Sequence, residues 1–173
     1  MRIVQWLWIV AVLTAGTFGA ASIALAALAV GQPAPALVVD TLDGHAFDIA
    51  KLRGKVAIVN FWATWCPPCR EEMPALDAFY KHHREQGVEL IGMSADSPHD
   101  ADEVVKVMKS FSYPAAMVNK ARTNGFGAPR ILPVTYVIDS QGVVRAILRP
   151  DKLQITEQSL NEIVLPLLNS DTR

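Results

Sequence analysis

The chain of 173 residues contains two cysteines, Cys66 and Cys69, and both fall in one Cys-Pro-Pro-Cys stretch. Two thiols at this spacing can close into a disulfide and open again, so the pair points to thiol–disulfide exchange. The run in front of it, Val56 to Phe61, is apolar and β-rich, and the run behind it, Arg70 to Gln86, has a helical pattern. A Cys-x-x-Cys pair between a strand and a helix is the context in which the motif signals redox chemistry. Cys66 then takes the helix N-cap, where unpaired N–H groups and the positive end of the helix dipole favour a thiolate. Pro67 takes the first helical position, where its missing N–H costs nothing. Cys69 lies one turn on, with its sulfur facing back. The expected division of labour is an exposed attacking thiol at Cys66 and a more buried resolving thiol at Cys69.

Other chemistries fit these residues less well. A purely structural disulfide would close too small a loop to constrain the unfolded chain much. Half of a zinc site would need a second Cys pair or a Cys/His cluster to complete it. Covalent haem attachment needs His after the second cysteine, where this chain has Arg70. His82 and His83 are neighbours on a helix and face different directions, while His45 and His99 are isolated, so no metal ligand set is expected.

The elements that must position the pair begin after a distinct leader. Met1-Arg2 is followed by an apolar run from Ile3 to about Val30. That run is long enough to cross a bilayer at roughly 20 residues per span. It also ends in Ala-Leu-Ala-Ala-Leu-Ala, a small-x-small pattern of the kind a signal peptidase cuts. Residues 1–30 therefore read as a signal peptide or an N-terminal membrane anchor, with Arg2 keeping the N-terminus inside. Either reading exports residues 31–173 to a periplasmic or other extracytoplasmic space, and an uncleaved leader would anchor them to the inner membrane through residues 3–30. Without Arg2 this part carries 15 basic and 17 acidic side chains. So even a balance gives no argument for binding nucleic acid or anionic lipid, and no nucleic-acid partner is expected.

Within 31–173, Gly31-Gln-Pro-Ala-Pro35 reads as a short stiff linker. Ala36 to Asp40 and Ala46 to Asp48 flank Asp43-Gly44, a hairpin signal. Lys55 to Phe61 reads as a buried central strand. A helix is expected from Pro67 to about Gln86, ended by Gly87 and kinked at Pro74. Val88 to Ala95 is the next strand. Ser97-Pro98 opens a helix to about Phe111, and Ala115 to Val118 is a short strand. Val134 to Ile138 and Val143 to Leu148 flank a turn at Asp139–Gly142, and Thr156 caps a last helix to about Leu168. This order predicts an α/β fold with a mixed central sheet flanked by helices.

Val59-Asn-Phe-Trp-Ala-Thr-Trp-Cys-Pro-Pro-Cys-Arg-Glu-Glu-Met-Pro74 and Leu132-Pro-Val-Thr-Tyr-Val-Ile-Asp139 resemble thioredoxin-fold proteins, specifically the TlpA-like exported thiol–disulfide reductases that include cytochrome c biogenesis members. The likeness covers about residues 31–168. It includes the Gly31–Pro35 opening and the Asp43-Gly44 hairpin. It implies a thioredoxin-like fold with an N-terminal β-hairpin and a central helix–strand insertion around residues 97–120. It also implies a cis bond before Pro133, with that proline against the Cys66 sulfur and the Leu132 backbone free to pair with an extended substrate. Asn60 departs from thioredoxin itself, which has a buried carboxylate there. Glu72, on the helical face of Cys69, is the candidate acid/base in its place, since burial would raise its pKa. Trp65 and Pro67 are expected at the rim where substrate docks, and Trp62 beneath it.

The leading expectation is an enzyme that reduces disulfides in client proteins, such as those of cytochrome c or copper-site maturation. The Cys66–Cys69 couple serves as its only redox group, without a bound cofactor or metal, and a membrane thiol partner re-reduces it. An oxidant using the same site is the alternative. A Cu(I) metallochaperone is a further one, although no His or Met ligand stands out beside the motif. A peroxidase is disfavoured, because Thr64 lies two residues before Cys66 rather than three.

Overall fold

The computed structural model describes residues 28–169. The leader expected over residues 1–30 therefore lies almost entirely outside the described residues. Among these, no helix is long and apolar enough to cross a membrane.

Eight strands and three α-helices follow one another as β1 (Leu37–Asp40), β2 (Ala46–Asp48), β3 (Val56–Trp62), α1 (Pro67–His83), β4 (Val88–Ser94), α2 (Ala101–Met108), β5 (Ala115–Met117), β6 (Thr123–Asn124), β7 (Val134–Ile138), β8 (Val144–Leu148) and α3 (Glu157–Asn169). Five of the strands form the central sheet in the order β5-β4-β3-β7-β8. β3, β4 and β5 are parallel, while β7 and β8 are antiparallel to their neighbours. The N-terminal hairpin β1–β2 joins β6 in a small second sheet.

β3 is the centre of this arrangement, and all seven of its residues are buried. Its alternation feeds two cores, as a strand covered on both faces must. Ile58 and Trp62 pack with Met73, Leu76 and Phe79 of α1 and with Leu160 and Val164 of α3. Val59 and Phe61 pack on the other face with Val134 and Tyr136, roofed by Leu37, Val39 and Phe47 of the hairpin.

Several boundaries differ from the sequence reading for identifiable reasons. α1 gives way after His83 to a 3-10 turn over Arg84–Gln86, and Gly87 ends it at φ 95°, a left-handed conformation that glycine adopts without strain. The helix expected over 97–111 is a 3-10 turn at Pro98–Asp100 followed by α2, which ends at Met108. Ser110 and Phe111 donate back three residues, to Val107 and Met108, which tightens the chain out of the α-helix. The segment 31–35 is not a free linker. Gly31 N–H donates to Val144 O, Val144 N–H to Gln32 O and Ala34 N–H to Gly142 O, so the segment satisfies the open edge of β8. β6 was not expected. Its two residues pair with Leu37 and Val38, and nothing in so short a stretch has strand periodicity.

Turns are pinned by carboxylates. Asp139 accepts from Gln141 N–H, Val143 N–H and Arg145 Nε at 2.6–3.0 Å, closing the β7–β8 hairpin. Gly142 in that turn has φ 74°, and a Cβ there would stand 2.2 Å from the Arg53 guanidinium. Asp77 of α1 accepts from Ser112 N–H and Oγ at 2.6 and 2.7 Å, tying the helix to the segment before β5. At the start of α3, Ser159 N–H donates to Thr156 Oγ1 while Thr156 N–H donates to Ser159 Oγ. This is a reciprocal cap of the kind expected from Thr156.

Phe79 is fully buried between α1 and the sheet. Phe79→Ala is expected to lower stability by about 3–5 kcal/mol in urea unfolding, from lost transfer energy and the cavity left behind. A loss under about 1 kcal/mol would contradict this packing.

Candidate active site

The N-terminus of α1 abuts the C-terminal end of β3, and both cysteines lie there. Cys66 is the N-cap, with extended backbone (φ −100°, ψ 101°), and its Sγ accepts the Cys69 N–H at 3.3 Å. Pro67 is the first helical residue, as the sequence predicts. Cys66 and Cys69 are disulfide-bonded, with Cα atoms 5.3 Å apart. The contrast in exposure is narrower than expected. Cys69 is fully buried, but Cys66 is only 4% exposed. Both belong to the α1-side core, and Leu132 packs against that core from the loop before β7. What access Cys66 has is through a cavity of about 540 Å³ that it lines with Trp65, Pro67, Asp96, Arg130 and Leu132.

The Leu132–Pro133 bond is cis. Pro133 is buried and Leu132 half-buried at the mouth of β7. Trp65 is 65% exposed at the cavity rim, whereas Trp62 is completely buried beneath the site. Gly92 on β4 makes room for Trp62, since a Cβ there would lie 3.0 Å from the indole Nε1 and 3.1 Å from the Tyr113 ring.

Glu72 lies one turn beyond Cys69 and is 8% exposed. Asn60 of β3, fully buried, donates through Nδ2 to Glu72 Oε1 at 2.8 Å and to Thr135 Oγ1 of β7 at 2.8 Å. Asn60 and Thr135 are register partners, so the strand pairing itself aims the amide. Desolvation raises the Glu72 pKa to about 7, and the Asn60 hydrogen bond offsets this only in part. Glu72 borders a cavity of about 240 Å³ with Glu71, Pro68 and Leu153, one that Cys66 does not line. Glu71 is exposed.

A second buried carboxylate, Asp96, has no sequence signal. It follows β4 and is 2% exposed. It accepts Thr64 N–H through both oxygens (3.0 and 3.2 Å), Thr64 Oγ1 at 2.6 Å and Ser94 Oγ at 2.7 Å. These bonds clamp the turn that presents Trp65 and Cys66. The partners lie 32 residues apart, and no periodicity links them. Among the described residues, no three His, Cys, Asp or Glu side chains converge on a possible metal site. His82 instead contacts Glu157 on α3 at 2.5 Å, far along α1 from the disulfide.

A disulfide at the N-terminus of α1, a cis bond before Pro133 and a central sheet in the order β5-β4-β3-β7-β8 define a thioredoxin-fold thiol–disulfide site. The comparisons with known proteins agree. The AhpC/TSA family profile matches residues 30–147, and the chain belongs to that family. It is similar to thiol–disulfide oxidoreductases named ResA. The Bacillus cereus protein is 34% identical over 115 residues, which span 66% of this chain and 66% of that one. The Geobacillus kaustophilus protein is 33% identical over 122 residues, 70% of each chain. The crystal structure of a thiol:disulfide interchange protein from Chlorobium tepidum superposes with TM-score 0.68 at 30% identity, covering 81% of this chain and 98% of that one.

The raised Glu72 pKa has a signed consequence for stability. The folded protein binds a proton at Glu72 that the unfolded chain has lost between pH 4.5 and about 7, so this group's contribution falls as pH rises through that window. Relative to Glu72→Gln, wild type is expected to lose on the order of 3 kcal/mol between pH 4.5 and pH 8. Urea midpoints at the two pH values check this, and parallel wild-type and variant profiles would show that Glu72 titrates normally.

Proposed function

We propose that the protein is an exported thiol–disulfide oxidoreductase that works as a reductant of client disulfides. The observation that carries this reading is the Cys66–Cys69 pair at the α1 N-terminus, with Cys66 on an apolar cavity and Cys69 sealed beside Glu72. In the reduced state the Cys66 thiolate is favoured by the Cys69 N–H and the helix dipole. It attacks one sulfur of a client disulfide, forming a Cys66–client bond and releasing the other client sulfur as a thiolate. Glu72, with a pKa near the working pH, takes the Cys69 proton. The Cys69 thiolate then attacks Cys66 Sγ, so that the client leaves with both sulfurs reduced and the Cys66–Cys69 bond is made.

Trp65, Pro67, Leu132 and Pro133 form the docking rim in this mechanism. The pair itself is the redox group, with no further cofactor. A thiol partner in the membrane returns two electrons, and residues 1–30 act as a signal peptide or as an anchor to the inner membrane. The TlpA-like motifs support disulfide-bonded cysteines of apocytochrome c, or of a copper-site protein, as clients, and the relatives named ResA support thiol–disulfide exchange as the activity.

Cys66→Ser is expected to abolish reduction of insulin-type disulfides, while Cys69→Ser should accumulate mixed disulfides with clients on non-reducing gels. Trapping through Cys69 in the Cys66→Ser variant alone would reverse the two roles. The direction of electron flow is read from the reduction potential of the couple, followed by tryptophan fluorescence in thiol/disulfide buffers. A value at or below about −230 mV is expected for a reductant, and one near about −120 mV would make the protein an oxidant.

A further inference from the structure

We propose that the loop before the cis-proline selects clients by charge, with Arg130 and Arg149 favouring an extended client segment that carries Asp or Glu beside its cysteine. The proposal rests on the oxidoreductase reading of Cys66–Cys69 and names the class of substrate that site takes.

The face around Cys66 is built for a peptide. Trp65 and Ile131 are 65% and 54% exposed, two of only five large apolar side chains left open among the described residues. Trp65 lines the Cys66 cavity and Ile131 the cavity on the other side of the 128–132 loop, and exposed apolar side chains flanking a loop in this way mark an interaction surface. No turn or loop backbone hydrogen bond involves residues 128–133, so the main chain there is open to a strand-like segment.

The charge of this face is cationic. Asp96 lines the Cys66 cavity but is 2% exposed, and both its oxygens are held by Thr64 and Ser94. Arg130 lines the same cavity and is exposed. On the other side of the loop, a cavity of about 290 Å³ is lined by Arg130, Ile131, Tyr136 and Arg149. Two other arginines are committed, Arg122 to Asp40 and Arg145 to Asp139, each at 2.6 Å, and none of Arg53, Arg70 and Arg84 lines the two cavities beside this loop. Arg130 and Arg149 hold no carboxylate among the described residues. The nearby acids Glu71 and Glu72 open onto the cavity beyond Pro68 instead. Arg130 borders both cavities, so a client segment that runs from the Cys66 cavity over residues 130–131 into the second cavity meets both guanidiniums. Acidic flanks complement them and lysine flanks are repelled.

The test uses the full chain with Cys69→Ser, so that reaction stops at the mixed disulfide. Three peptides, alike except for Asp-Cys-Asp, Asn-Cys-Asn or Lys-Cys-Lys at the centre, are each supplied as a mixed disulfide with an aromatic thiol. The Cys66 thiolate attacks the peptide sulfur, and the Cys66–peptide bond forms as the bond to the aromatic sulfur breaks. The aromatic thiolate leaves with the electron pair and is read by absorbance. At low salt the Asp peptide is expected to react about three- to fivefold faster than the Asn peptide, and the Lys peptide slower, with the spread shrinking in high salt.

Each variant supplies its own Asn-peptide reference, so partial misfolding does not imitate lost selectivity. Arg130→Ala with Arg149→Ala should bring the three rates together, Arg130→Lys should keep the order and Arg130→Glu should invert it. Equal rates in the parent protein, or a spread that survives the double alanine variant, would overturn the charge selection while leaving Cys66 as the attacker. Failure to react with any of the three peptides would overturn the oxidoreductase reading and this proposal with it.

Discussion

The site depends on one face of α1. Cys66, Cys69, Glu72, Met73, Leu76 and Phe79 follow the three- and four-residue spacing that puts side chains on a single stripe of a helix. The apolar half of that stripe anchors the helix against β3 and the α3 side of the core. The chemical half is carried into the protein by the same packing. Burial that stabilises the fold therefore also withdraws water from Cys69 and from the Glu72 carboxyl. A helix docked a turn further out would leave Glu72 an ordinary surface acid. The cost of desolvating it is accepted because Asn60 supplies one hydrogen bond, and that bond is weaker than the hydration it replaces, so the pKa rises.

β3 is the other half of this constraint. Its pairing with β7 sets Asn60 opposite Thr135 and starts β7 directly after the cis-proline Pro133. The Asn60 amide spends both protons, one on Thr135 and one on Glu72, so strand register and carboxyl environment are linked through a single side chain. Asn60 Oδ1 is buried without a partner, an unfavourable feature that the two donated bonds offset.

Much of this was legible in the sequence because the signals are local. The strand–Cys-x-x-Cys–helix order, Pro67 at the first helical position, Gly87 at the helix end, the Asp43-Gly44 and Asp139–Gly142 turns and Thr156 as a cap all act within a few residues of themselves. Glu72 was reachable through helical spacing, and Pro133 through its motif. The Asp96–Thr64 clamp was not, because it joins residues whose only relation is that β4 ends beside the active-site turn. Thr135 was missed as a partner of Asn60 for the same reason, since register between β3 and β7 is a tertiary fact. The tethering of residues 31–34 to β8 was hidden by their Pro and Gly content, which reads as a loop whether or not an open sheet edge lies nearby. The low exposure of Cys66 was also outside the sequence. It is a tertiary fact, since Cys66 belongs to a core cluster that Leu132, 66 residues away, also packs against.

Cys66 and Glu72 border different cavities while Cys69 between them is sealed, and this asymmetry organises the chemistry under the proposed reading. Cys66 faces the larger, apolar cavity bounded by Trp65 and Leu132, while Glu72 faces the smaller one bounded by Pro68 and Leu153. A client covering the first cavity excludes water from the sulfurs that exchange there, which protects the mixed disulfide from adventitious thiols. The proton that Cys69 must lose would be stranded if it had to leave by the same route. On this reading Glu72 is a second exit, because it lies one turn from Cys69 on the same face of α1 and borders the far cavity. Separating the entry of the client from the exit of the proton lets Cys69 stay sealed, as a resolving thiol should, and still ionise when the mixed disulfide has formed.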